Sequence, residues 1–196
     1  MRLMSILLPS AFSLRSIVSK NGLVCATTPT LTPRMNIFVL SLCPQLAARL
    51  HCDKHVVKMS LETAPLLYTA HHVVGTKELP EGAYKKTHAN HPCAVWVRER
   101  RANYRWLAEL GIWLCKEYSY RYSDKLHKTT RHLVWLLANP PALPEGPQTH
   151  FRQAMPDEYK CADPVQAYQT YYLKVKVPRG IVQYTRRERP DFLPAN

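Results

Sequence analysis

The 196-residue chain is 46% apolar and 10% aromatic, a composition that excludes a disordered or fibrous protein and favours one globular domain with a real core. Its 27 Lys and Arg against 14 Asp and Glu give a formal charge of +13, which points to a polyanionic partner such as nucleic acid or an anionic membrane surface without fixing a fold. No apolar run reaches the ~18 residues that would span a bilayer, and the six cysteines lack the dense spacing of a secreted disulfide scaffold, so the chain reads as intracellular, reduced and without a membrane partner.

Residues 1–34 hold Arg2, Arg15, Lys20 and Arg34, five serines, four threonines and no acid. That is the composition of an organelle transit peptide, which would imply import. The alternative is an extended gene model with the true start at Met35, since Met35-Asn-Ile-Phe-Val-Leu reads as the buried first segment of a domain. On either reading the stretch is dispensable for folding. Without it, 23 basic residues face 14 acidic ones and +9 remains with the domain.

Residues 37–42 are the one strand signal. From Gln45 the pattern is helical, and Asp53 can cap a helix whose apolar positions Val56, Val57, Leu61, Ala64, Leu67 and Tyr68 recur near 3.6 spacing. Pro65 removes a backbone bond and should kink or divide that helix. A loop at 75–82 and a basic connector at 84–93 lead to Pro92, the first turn of a long helical tract through Trp96, Leu107, Leu110 and Trp113, with Gly111 weakening its middle. A further helix at 128–138 stops before Pro140 and Pro141, and 142–148 is Pro-rich loop. Asp163 and Pro164 form an N-cap and first-turn pair for a last helix through Tyr168, Tyr171, Tyr172 and Val175. The expected fold is mainly α, a single compact helical domain with long loops over 35–177, followed by a loosely ordered basic tail at 178–196.

Chemistry concentrates in His51-Cys-Asp-Lys-His-Val-Val-Lys-Met-Ser-Leu-Glu62. On a helix, Lys54, Lys58 and Glu62 stand at i, i+4 and i+8, two amines and a carboxylate on one stripe. Such a stripe is either a solvated ion-paired face or a site in which a lysine attacks a sugar carbon while a carboxylate moves protons. His51 and His55, with Cys52, His91 and Cys93, are the residues from which a zinc site would have to be built; no CxxC or HExxH spacing supports it. His71 and His72 fall at a helix end, where they would compensate its dipole. Tyr84-Lys-Lys-Thr-His-Ala-Asn-His-Pro and the following Arg98, Arg101, Tyr104 and Arg105 interleave cations with aromatics, as phosphate neutralisation and base stacking require. Lys85, Lys86, His88, His91, Arg98, Arg101, Tyr104 and Arg105, with Lys128 and Arg131, are therefore the candidate nucleic-acid contacts, whereas Trp96, Trp106 and Trp113 are assigned to the core. Met155-Pro-Asp-Glu-Tyr-Lys160 reads as a turn in preference to a site-facing loop with the paired acids Asp157 and Glu158.

Taken together, His51-Cys-Asp-Lys-His-Val-Val-Lys-Met, Asn90-His-Pro with Trp96, Tyr104-Arg-Trp-Leu, Pro156-Asp-Glu-Tyr-Lys and Ala167-Tyr-Gln-Thr-Tyr-Tyr resemble a phage and microbial family. That family is in turn distantly similar to the pyrimidine-dimer DNA glycosylases of the phage endonuclease V type, which are small, basic, mostly helical and cofactor-free. The resemblance implies excision of a damaged pyrimidine through a Schiff base, then strand cleavage at the abasic sugar. It also implies an amine at the chain's own N-terminus and a glutamate on the following helix. Here His55 aligns with that glutamate, and Ser41 and Cys43 stand where relatives have acids, so Lys54 or Lys58 is expected to replace the amine and Glu62 or Asp53 the acid. The leading expectation is a monomeric DNA glycosylase/lyase without metal or cofactor. The rivals are a non-catalytic nucleic-acid-binding protein and a zinc-dependent nucleic-acid enzyme.

Overall fold

A computed structural model describes residues 35–194; the leader reading of residues 1–34 falls outside them. The described residues form α1 (Pro44–Leu50), α2 (Asp53–Val74), α3 (Pro92–Glu99), α4 (Arg101–Arg121), α5 (Thr130–Ala138) and α6 (Pro164–Tyr171), which runs on into a π-helical turn at Tyr172–Lys176. The fold is mainly α, and among the described residues no helix is long and apolar enough to cross a membrane.

The long antiparallel core is made by α2 and α4, with α1 and α5 packed on α4 and α3 bridging α2 to α4. Leu66 and Leu67 of α2, Leu107, Leu110 and Leu114 of α4 and Leu133 of α5 belong to this core, all essentially inaccessible. Each such side chain contributes about 1.5–3 kcal/mol through apolar burial. Pro65 sits inside α2 without dividing it; a proline removes one i to i−4 bond, and the packing of a 22-residue helix outweighs it. The tract after Pro92 is, in contrast, two helices. Arg100 is extended at φ −148 and ψ 149, and Asn103 ties the joint by donating to the Trp96 carbonyl at 2.7 Å.

Residues 35–42 do not form a strand. They are irregular: Ile37, Phe38, Val39 and Leu40 are buried at no more than 4% exposure, while Leu42 at their end is 64% exposed. Side chains replace the missing sheet partners: Gln169 donates to the Leu40 carbonyl, and Trp106 Nε1 to that of Leu42. This satisfies backbone that would be costly to bury unpaired. Asp163 caps α6 as expected, accepting from Val165 N–H and Gln166 N–H. Cys52, not Asp53, is the N-cap residue of α2.

The tail is not loose. Tyr184 donates to the Leu50 carbonyl, Thr185 binds Asp53 through N–H and hydroxyl, and Arg187 makes a two-point contact with Glu117. Val182 and Leu193 are buried, so the segment belongs to the domain.

Candidate functional site

The first turns of α2 split the candidate catalytic residues by helical phase. Asp53 faces inward: its carboxylate accepts from Arg121 Nη1 at 3.0 Å and from Thr185. With all its acceptor capacity used in cross-linking, Asp53 is a structural anchor and not the acid of a site. Lys54 is exposed and does not line the cleft formed by its neighbours. His55, Lys58 and Glu62, at i, i+3 and i+7, do line it.

That cleft has a volume of about 170 Å³. The start of the domain forms one wall with Asn36 and Phe38, and the end of α6 and the π turn form the other with Tyr171 and Lys176. Glu62 stands between three nitrogens. Its Oε1 pairs with Lys58 Nζ at 3.1 Å, its Oε2 accepts from the Asn36 backbone N–H at 3.1 Å, and Lys176 lies near enough to act on it electrostatically. Asn36 is itself held by Tyr168, whose hydroxyl donates to Oδ1, and by donation to the Ala154 carbonyl. Burial pushes the Glu62 carboxyl above the usual carboxylate range, and Lys58 and the Asn36 N–H pull it back. A carboxyl balanced in this way can hold a proton or give it up with little change of environment.

His55 is a wall and not an acid. It stacks on Phe38 with ring centroids 4.6 Å apart, and its Nδ1 shares a hydrogen bond with the Tyr172 hydroxyl. Burial, followed by the nearby His51, Lys176 and Lys58, drives its pKa down to about 2, so the ring is neutral. The resemblance aligns His55 with the family's glutamate; it is Glu62, two turns further along the same face of α2, that meets the start of the domain.

Lys176 escapes the sequence reading altogether. It occupies the last position of the π turn, with Nζ 4.8 Å from the centroid of the Tyr171 ring and 5.4 Å from that of Phe38. Burial, then Arg179 and Lys58, lowers its pKa to about 8, with Glu62 acting in the opposite direction. The sequence signal was there only as a lysine ending an aromatic run, Tyr171-Tyr-Leu-Lys-Val-Lys176, and nothing local ties it to Glu62.

None of the ten candidate nucleic-acid contacts lines this cleft. Lys85, Lys86 and His88 are exposed on the connector that packs against the second half of α2, where Thr69 and the Thr87 backbone bond to each other. Lys128 and Arg131 are exposed at the start of α5. Arg101 and Arg105 are exposed on α4 but paired, with Glu145 and Glu109. Arg98 is spent on the protein itself, donating to the Ala94 and Ala89 carbonyls, and His91 caps α3 by accepting from the Cys93 N–H. Tyr104 cannot stack on a base: it is 1% exposed and its hydroxyl donates to the Leu136 carbonyl. One of the two histidines at the end of α2 differs from expectation as well. His71 is buried against Tyr104 and Thr76, and burial lowers its pKa to about 4, so it brings no positive charge to the helix dipole.

The zinc arrangement does not assemble. Among the described residues no three His, Cys, Asp or Glu side chains converge as metal ligands; His51 Nδ1 bonds to the Ala47 carbonyl, and His91 is committed to its cap. The paired acids Asp157 and Glu158 lie exposed on a 3-10 turn, with Asp157 held by Lys160. Comparison with protein-family models, curated proteins and solved structures finds no match.

Proposed function

We propose that the chain is a DNA-repair N-glycosylase with abasic-site lyase activity, acting as a monomer on a damaged or modified pyrimidine. The observation that carries the reading is Glu62, a largely buried carboxylate set between the Lys58 amine, the Asn36 nitrogen and Lys176. Those are the two functions a Schiff-base lyase requires: an amine, and beside it a group that moves protons. The cleft is smaller than the ~300 Å³ of a site that encloses a drug-sized ligand. It would admit the edge of a deoxyribose, with the extruded base left outside it.

In chemical terms, an unprotonated amine of the cleft attacks C1′, and the C1′–N1 bond breaks with its electron pair leaving on the pyrimidine, which takes a proton from solvent. Glu62 accepts one proton from the new C1′ ammonium. The nitrogen lone pair then opens the C1′–O4′ bond, Glu62 returns that proton to O4′, and an iminium remains. Loss of a C2′ proton expels the 3′ phosphate, and water releases the amine.

The test is nicking and borohydride trapping on oligonucleotides carrying a panel of pyrimidine lesions or an abasic site. Borohydride delivers hydride to C1′ of the iminium and makes the link permanent. Glu62→Gln is expected to reduce nicking by about 10²- to 10⁴-fold, the usual contribution of a positioned acid–base group, while leaving DNA binding intact. A wild-type protein that binds DNA but neither nicks nor traps any member of the panel overturns the enzymatic reading in favour of a non-catalytic nucleic-acid-binding protein.

A further inference from the structure

We propose that Lys176 is the amine that forms the covalent intermediate, a role that rests on the glycosylase/lyase reading above. Three features of position single it out among the nitrogens around Glu62. The Asn36 nitrogen, in a chain that continues through Met35, is a peptide amide whose lone pair is delocalised and cannot attack carbon. Lys58 has a side chain 54% exposed to solvent, and its Nζ is already engaged by the Glu62 carboxylate that the mechanism needs for proton transfer. Lys176 is half-buried, and Nζ is held over the faces of Tyr171 and Phe38 on the opposite wall of the same cleft.

The charged groups facing Lys176 are Arg179 from the segment beyond the π turn, and Lys58 and Glu62 from α2. The two cations oppose its protonation. With a pKa near 8, roughly a tenth of Lys176 is the free amine at pH 7, against fewer than about one in a thousand for an ordinary lysine. The π-helical turn serves this placement: at Tyr172–Lys176 the chain gains a residue per turn over an α-helix, and such bulges commonly redirect a side chain at a functional site. The attack follows the sequence already given, with Nζ as nucleophile. Lys176 surrenders one proton to solvent before attack and a second to Glu62 after it, and the latter ends on O4′.

The experiment uses the full chain with abasic DNA and borohydride, and compares wild type, Lys176→Ala, Lys176→Arg and, as a neighbouring control, the exposed Lys174→Ala. Trapping is expected to fall at least about 100-fold in both Lys176 variants, with DNA affinity changed less than about threefold in Lys176→Arg, which keeps the charge. Lys174→Ala should trap as wild type does. Peptide mapping of the wild-type adduct locates the linkage independently, so the result stands even where Lys176→Ala folds poorly: an adduct on Lys176 supports the assignment. Trapping undiminished in Lys176→Arg, or an adduct mapped to Lys58, Lys54 or an N-terminal amine, overturns it while leaving the lyase reading intact. Absence of trapping in wild type overturns both.

Discussion

At the residue scale, the histidines of this protein are more informative about stability than about catalysis. His51, His55 and His71 are all buried and held neutral, with pKa values lowered to about 4, 2 and 4, burial being the largest cause in each. In the unfolded chain they would titrate near 6.5. Below that pH the unfolded state binds more protons than the folded one, so stability is full above about pH 6.5 and falls as the pH drops. The loss continues until the folded-state values are reached, near pH 4 for His51 and His71 and lower for His55. Each contributes up to about 1.4 kcal/mol per pH unit within its window. Urea midpoints measured from pH 7 to pH 4.5 should therefore fall steeply, and His71→Gln should flatten the curve; a midpoint constant over that range would contradict the burial of neutral imidazoles. His51 adds a further cost, because its Nε2 is buried without a hydrogen-bond partner.

At the scale of elements, the contact that sets the spacing of the core helices is Gly111. A methyl group there would meet Leu133 Cδ2 of α5 at 2.7 Å and Thr63 Cγ2 of α2 at 2.8 Å. Neither neighbour can retreat easily: Leu133 is fully buried, and the Thr63 rotamer is fixed by donation to the Met59 carbonyl. An exposed helical glycine gains about 1 kcal/mol on change to alanine. Overpacking costs about 1–3 kcal/mol, so Gly111→Ala is expected to be net destabilising by about 1 kcal/mol, read as a lowered midpoint in thermal or urea unfolding. A stabilised Gly111→Ala would mean that α2, α4 and α5 are not so closely apposed. From the sequence, Gly111 is only a weak point in a helix; its value lies in the two helices that approach it.

For the whole molecule, one guanidinium ties the ends of α1 and α4 and the start of α2 to the C-terminal segment. Arg121, at the end of α4, donates to the carbonyls of Arg49 and His51 and to the carboxylates of Asp53 and Glu117. Those carboxylates hold Thr185 and Arg187 of the C-terminal segment. Removing one partner of a buried ionic network costs about 3–5 kcal/mol because the others are left uncompensated. Arg121→Met should show a loss of that size in urea unfolding, together with faster proteolysis within residues 178–190. Unchanged proteolysis would show that the burial of Val182 and Leu193, with the Tyr184–Leu50 hydrogen bond, is enough to secure the segment. The overall charge makes a separate prediction. With +9 on the domain, DNA affinity should fall steeply with salt, since phosphate neutralisation releases counterions, and a salt-independent affinity in a titration would rule out a phosphate-dominated interface.

The sequence by itself determined the helical class, the capping of α6 by Asp163, the burial of Trp96 and Trp106 and the net charge, because these follow from local hydrogen bonding, periodicity and composition. It also placed Lys58 and Glu62 on one stripe of α2, a matter of helical spacing alone. What it left open was which stripe residues face a cleft, since Asp53, Lys54 and His55 are one residue apart and are sorted only by what packs against α2. Arg98 and Tyr104 were read as free to bind nucleic acid because side-chain direction is set by the fold: Arg98 turns back on the carbonyls of Ala94 and Ala89, and Tyr104 reaches that of Leu136 on α5. Residues 178–194 lack an amphipathic pattern and so read as a loose tail, although Asp53 and Glu117, more than 60 positions upstream, anchor them. Lys176 and Asn36 were decided by tertiary structure in the strict sense. They reach Glu62 from opposite ends of the domain, and only the folded chain brings those three groups into one low-dielectric space where an amine and a carboxyl change each other's chemistry.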